Sequence, residues 1–217
     1  MTFLRDLDDT LFLAINSLAR HTGWLHAPLV AYAAYGAELF GLLLLVGLVH
    51  ARSRDTTTLA AAGWAGLATL IAIAVNQPVA ALFHETRPYV SYPDALVLVA
   101  RSTDYSFPSD HAVMAGAAAT GLLLVSRRLG IIAASAAALM AFARVYVAAH
   151  YPWDVLSGLL LGAAVAGLGW RLLHTPLIIL TAWLRQRAGL RRVFAPRQQP
   201  NDALGGGPQD GERTIAR

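Results

Sequence analysis

Apolar residues run almost unbroken through most of this chain, and polar residues fall in short groups between the runs. Leu29 to Val49 and Leu59 to Phe83 each approach the roughly 20 apolar positions that a helix needs to cross a bilayer. A third helix is predicted from Ser109 or Asp110, both good N-cap residues, to Val125, where Ser126, Arg127, Arg128 and Gly130 interrupt the pattern. A fourth covers about Ile131 to Ala148. A fifth starts at Pro152, a residue favoured in the first helical turn, and extends to about Gly169. Gly158 and Gly162 on it form a small-xxx-small pair suited to close helix packing. Leu177 to Trp183, beyond His174 and Pro176, is too brief to span.

Residues 1–20 place Arg5, Asp6, Asp8 and Asp9 where a cleavable signal peptide would have its apolar core, so the segment is predicted as an amphipathic or re-entrant helix at the interface. Arg185, Arg187, Arg191 and Arg192 suit a membrane-surface anchor. From Pro196 the chain is rich in Gly, Pro, Gln and Asp, a composition that predicts disorder. The pattern therefore predicts an all-α, polytopic transmembrane bundle of about five spanning helices plus the N-terminal one. Residues 1–195 form the membrane-embedded domain and residues 196–217 the tail.

Composition agrees: 56% of the 217 residues are hydrophobic and 14% charged, and mean hydropathy is +0.50, outside the range of soluble domains. Cysteine is absent, which excludes thiol chemistry and thiolate metal sites. All 17 basic residues are arginine, so lysine Schiff-base chemistry is excluded as well. The net charge of +4 suits anionic headgroups and is too diffuse to indicate nucleic acid. Arg52 and Arg54, then Arg127 and Arg128, then the C-terminal arginines fall at alternate helix ends that share one side, predicted to be cytoplasmic.

Three polar clusters then lie together on the opposite side: His84 to Pro88, Pro108 to His111, and Arg144 through His150 to Asp154. Each alone suits snorkelling or capping. Converging at one level of the membrane, they suit phosphoryl chemistry. The planar forks of Arg87 and Arg144 bind phosphate oxygens through paired, charge-assisted hydrogen bonds. Ser109 and the free N–H groups at its helix start add donors, besides ordinary capping. Asp154, four residues after His150, can accept a proton from one imidazole nitrogen and leave the other free to attack phosphorus. His111 is placed to protonate the leaving oxygen and then to activate water.

These stretches resemble the signature of the type 2 phosphatidic acid phosphatase superfamily, which also includes vanadium haloperoxidases. Pro108-Ser109-Asp110-His111 is similar to its second motif, Arg144 to Asp154 fits the third, and Arg87-Pro88 fits the end of the first. The resemblance implies metal-independent hydrolysis without a cofactor. His150 would form a phosphohistidine oriented by Asp154, His111 would serve the leaving group, and Arg87, Arg144 and Ser109 would hold the phosphate beside Asp110. Ala80 stands where the family's first motif has a lysine, and Asp110 replaces the usual glycine. Both departures resemble the bacitracin-resistance type of undecaprenyl-diphosphate phosphatase, as do Asn76-Gln77 and Ser106-Phe107. That resemblance implies a polyprenyl diphosphate substrate in the bacterial plasma membrane, with the site on the extracytoplasmic face. Partners would be the lipid substrate and membrane lipids.

Glu38, inside the first span where a carboxylate is costly, His84 and Asn76 are secondary site candidates. Alternative readings are a phosphatidylglycerol phosphate or phosphatidic acid phosphatase, since the motifs bind phosphate rather than the tail, and an anion transporter. Against the transporter, no internal repeat is visible.

Overall fold

The computed structural model describes residues 2–187, and among them the chain is helical with no strand. Helix α1 (Thr2–His21) is followed by a 3-10 turn (Gly23–Leu25) and by α2 (His26–Ala51) and α3 (Thr56–Phe83). The single turn α4 (Pro88–Ser91) lies within the long loop, and α5 (Asp110–Val125), α6 (Arg127–Tyr146) and α7 (Pro152–Gln186) complete the order. The predicted tail from Pro196, with Arg191 and Arg192, lies outside the described residues.

The short helix α5 is the axis of the bundle. Its 16 residues reach roughly 24 Å at 1.5 Å per residue, short of a hydrocarbon core of about 30 Å. Among the described residues, four elements are long and apolar enough to cross a membrane: residues 23–51, 56–91, 127–146 and 152–186. The protein is thus a multi-pass membrane protein in which α5 is the shorter fifth helix. It is almost entirely shielded by the others, since Ala112, Val113, Ala115, Ala117, Ala118 and Leu122 are all buried.

Small side chains make that enclosure close. Gly121 of α5 faces the backbone of Ala65 on α3, whereas Gly116 faces the Leu159 carbonyl on α7. Gly158 and Gly162, the pair singled out in the sequence, lie against Ser109, Ala112, Val113 and Ala117. Residue numbers rise together along this α5–α7 contact, so both helices start at the same end of the bundle. Larger side chains fill the remaining gaps: Phe40 and Met140 pack with Leu122, and Trp64, packed against Val113 and Ala166, donates to the Ala166 carbonyl at 2.8 Å.

Several boundaries differ from the sequence reading. α7 does not stop near Gly169 but continues through Pro176 to Gln186. Proline costs such a helix one hydrogen bond, whereas ending it in an apolar surround would orphan several backbone groups. At its far end Arg185 donates to the Arg54 carbonyl at 2.7 Å and to Thr56 Oγ1 at 3.1 Å, tying α7 to the α2–α3 turn. That turn is itself capped, Asp55 accepting from the Thr58 N–H at 2.9 Å. α6 starts at Arg127, with only Ser126 separating it from α5. Helix α1 buries Phe12, Asn16 and Ala19 and exposes Leu4, Leu7 and Leu11. It braces the start of α7, where the Trp153 N–H donates to Asp8 at 2.8 Å.

A methyl group at Gly162 would press on the Val113 carbonyl and lie 2.7 Å from the Ala117 nitrogen, both backbone atoms. Gly162→Ala is therefore expected to cost about 1–3 kcal/mol, seen as a lower melting temperature in detergent. Gly63→Ala, with nothing within 4 Å of the added carbon, is the control expected to melt no lower than the parent.

Candidate active site

The site begins with the turn that ends α6. The N–H groups of Ala149 and His150 both donate to the Arg144 carbonyl, at 3.0 and 3.3 Å, which folds the chain back and sets the two side chains Arg144 and His150 together. Ala148 has a φ of 63° to make this turn, a conformation costing an alanine roughly 1–2 kcal/mol. Its methyl is buried among Phe12, Ala112, Val145, Tyr151 and Val155, contacts that a glycine would lose.

His150 is 2% exposed. Its Nδ1 lies 2.8 Å from the Ser106 carbonyl, which can only accept, so Nδ1 carries the proton and Nε2 presents its lone pair. That lone pair faces two guanidinium groups, Arg87 Nη1 and Arg144 Nη2, each at 3.3 Å. Burial first, then the charges of Arg144 and Arg87, hold the imidazole well below its ordinary value of 6.5. The ring is therefore neutral at pH 7.

Asp154 does not take the His150 proton directly, as the four-residue spacing suggested. Its Oδ2 lies 3.5 Å from Nδ1, whereas the shorter bond of Nδ1 goes to Ser106. The carboxylate is occupied otherwise: it accepts from Ser106 Oγ at 2.5 Å and from the Tyr151 N–H at 2.8 Å. The latter bond belongs to a capping box at the start of α7. Ser106 thus stands between the two, its carbonyl on the imidazole and its hydroxyl on the carboxylate.

Arg87 is not free to grip an anion with both prongs. Nε and Nη2 donate to Asp104 Oδ1 at 3.1 and 2.9 Å, and Nη1 also donates to the Ala149 carbonyl at 2.8 Å. Only the Nη1 corner faces His150. Arg144 gives Nη1 to the Ala33 carbonyl of α2 at 3.2 Å, while its Nε is buried without a protein partner.

These groups open on one cavity of about 320 Å³, lined by Arg87, Arg144, His150, His111, Asp110 and Asn76, with Gln77, Ala80, Asp104 and Tyr105. His111 and His150 therefore face the same space. The Asp110 carboxylate accepts from Asn76 Nδ2 at 2.7 Å and Gln77 Nε2 at 3.1 Å, and Asn76 also donates to the Pro108 carbonyl at 3.0 Å. The donor that Asp110 offers an anion is its backbone N–H in the first turn of α5, where N–H groups lack intrahelical acceptors. Ser109 lies behind the lining, with its Oγ buried and unpartnered.

Three other residues fall elsewhere. Glu38 is exposed on α2 and does not line the cavity. His84, the left-handed cap of α3, is also outside the lining and stacks edge-on against Tyr105 at 4.7 Å. Glu85 is outside the lining too, and its backbone carbonyl accepts from the Ser106 N–H at 2.8 Å. Asp104 and Ser106 were not singled out as site residues. Each lies before the Pro-Ser-Asp-His run, in a loop with no periodicity to mark which side chains turn inward.

Residues 61–177 match the family model described as the PAP2 superfamily, and the chain belongs to that superfamily. Over 161 residues it is 29% identical to undecaprenyl-diphosphatase BcrC of Bacillus subtilis, a match covering 74% of this chain and 81% of that protein. It is 37% identical over 101 residues to an undecaprenyl-diphosphatase of Sulfolobus acidocaldarius, covering 45% of this chain and 48% of that one. Its fold is similar to the crystal structure of a transmembrane PAP2-type phosphatidylglycerolphosphate phosphatase from Bacillus subtilis, with a TM-score of 0.54 and 23% identity over 87% of this chain and 90% of that one.

At about pH 6 an ordinary imidazole of pKa about 6.5 is mostly protonated. His150 is expected to remain neutral there in nitrogen-resolved NMR of labelled protein; a charged ring would contradict its enclosure by two cations. Ser106→Ala keeps the carbonyl and removes only the hydroxyl. Losing a bond to a carboxylate worth about 1.5 kcal/mol is expected to lower kcat for lipid phosphate hydrolysis roughly 10-fold, and an unchanged kcat would remove the Ser106 hydroxyl, though not its carbonyl, from the machinery.

Proposed function

We propose that the chain hydrolyses undecaprenyl diphosphate to undecaprenyl phosphate and inorganic phosphate, recycling the lipid carrier of cell-wall synthesis. The observation that carries this is the His150 Nε2 lone pair, held between Arg87 Nη1 and Arg144 Nη2 at 3.3 Å each. A phosphorus atom approaching that nitrogen places its oxygens among the guanidinium N–H groups. Arg144, which lines the cavity, also keeps its buried Nε without a protein partner, a further donor for a phosphate oxygen.

Nε2 attacks the terminal phosphorus, forming an N–P bond as the bridging P–O bond breaks. His111, charged as imidazolium once the anionic diphosphate lies beside it, gives a proton to the departing lipid phosphate and becomes neutral. It then takes a proton from water, which attacks the phosphohistidine, releases phosphate and frees His150. The charge that builds on the five-coordinate phosphorus meets fixed cations rather than reorganising water. The reaction so drawn needs no metal ion.

Orientation follows from the arginines. Arg52, Arg54, Arg127, Arg128 and Arg185 gather at the end of the bundle remote from His150, which the positive-inside rule assigns to the cytoplasm. The cavity then opens at the extracytoplasmic face. The diphosphate substrate is favoured by the names of the relatives and by Ala80, whose small side chain leaves room along the cavity wall.

Purified protein assayed for phosphate release should prefer undecaprenyl diphosphate over phosphatidylglycerol phosphate and phosphatidic acid by at least about 10-fold in kcat/KM, with activity retained in chelator. His150→Ala should abolish turnover while the protein still inserts. Undiminished release by that variant would remove the nucleophile, and faster turnover of phosphatidylglycerol phosphate would reassign the substrate.

A further inference from the structure

The long loop reaches the nucleophile through one carboxylate. Asp104 Oδ1 accepts both outward donors of Arg87, Nε at 3.1 Å and Nη2 at 2.9 Å, and Nε also reaches the Asp104 backbone carbonyl at 3.4 Å. Asp104 also accepts from the Ser102 hydroxyl. Ser102 in turn is fixed at both backbone atoms by one phenol: its N–H donates to Tyr89 Oη and its carbonyl accepts from the same hydroxyl, each at 2.9 Å. Tyr89 is buried and belongs to α4, directly after Arg87. Although partial burial opposes it, the Ser102 hydroxyl and Arg87 hold the Asp104 carboxyl below its ordinary value of 3.8, so it is ionised at neutral pH.

A guanidinium held along one edge by Asp104 and at Nη1 by the Ala149 carbonyl has a fixed plane. It can then offer a phosphoryl group only the corner that already faces His150 Nε2. We propose that Asp104 is a positioning residue for the phosphatase reaction, acting through Arg87 by fixing the plane from which Nη1 meets the transferred phosphoryl group. This rests on His150 being the nucleophile. The opposite role, an anion that substrate must displace from Arg87, is disfavoured because Nη1, not the edge held by Asp104, faces the reacting nitrogen.

The two roles separate by substitution, because a single oxygen accepts both bonds and an asparagine carbonyl can do the same without charge. In full-length protein hydrolysing undecaprenyl diphosphate, Asp104→Ala is expected to lower kcat roughly 10- to 100-fold, with a smaller change in KM. Asp104→Asn should recover most of that loss. Asp104 is largely exposed, so neither change empties a core. The inference is overturned if Asp104→Ala keeps the parent kcat, if Asn falls as far as Ala, or if Ala tightens inhibition by vanadate while turnover holds. Failure of the parent protein to release phosphate, or full activity in His150→Ala, would instead defeat the proposed reaction and leave a different signature.

Discussion

Two like-charged guanidinium groups converging on one buried nitrogen is an arrangement that a protein must hold by force of its surroundings. Arg87 and Arg144 each reach His150 Nε2, and both are largely removed from water. What keeps them there is a set of fixed acceptors: the Ala149 and Ala33 carbonyls and the Asp104 carboxylate. Burying a charge is costly unless it is paired and hydrogen-bonded, and each acceptor comes from a different part of the chain. The site therefore exists only when α2, the long loop and the α6–α7 turn are in register.

The alanine- and glycine-rich core serves that register. With Gly116, Gly158 and Gly162 at the α5–α7 contact, two helix N-termini lie side by side at the cavity. α5 presents the N–H groups of its first turn and the positive end of its dipole to the cavity, whereas α7 opens on Pro152, which has no N–H, and its Trp153 N–H is taken by Asp8. Close packing thus places the α5 dipole as well as stabilising the bundle. The bulk that fills the bundle lies farther out, in Phe40, Leu122, Met140 and Trp64.

The sequence made the helices and the three polar clusters legible because periodicity and charge both act locally. Starts were read well: Asp110 opens α5 and Pro152 opens α7. The end of α7 was missed because Pro176 is a breaker in water, where freed backbone groups find solvent, and less so in an apolar surround. At the site, His150, His111, Arg87, Arg144, Asp110 and Asn76 were visible and share one cavity. Glu38 was a candidate because a charge inside a span is costly, yet that argument does not say which way a helix face turns. Ser106 and Asp104 were hidden for a different reason. Their part depends on the path of an irregular loop, and in Ser106 the working atom toward His150 is a backbone carbonyl that any residue possesses.

The charge balance of the cavity bears on turnover. Arg87 and Arg144 face Asp104 and Asp110, and Ala80 stands where the superfamily resemblance places a lysine. A pocket with another cation and no carboxylates would hold phosphate more tightly before, during and after reaction. Binding that is uniform along the reaction lowers KM without raising kcat, and it retards release of the anionic product. Asp110 is locked in place by Asn76 and Gln77, and Asp104 by Arg87 and Ser102. In the proposed reaction their negative charges would offset ground-state attraction while the arginine corners stay aimed at the nitrogen that would take the phosphorus. On the proposed reading, the site trades affinity for stabilisation confined to the transition state, which suits a substrate concentrated by its own membrane.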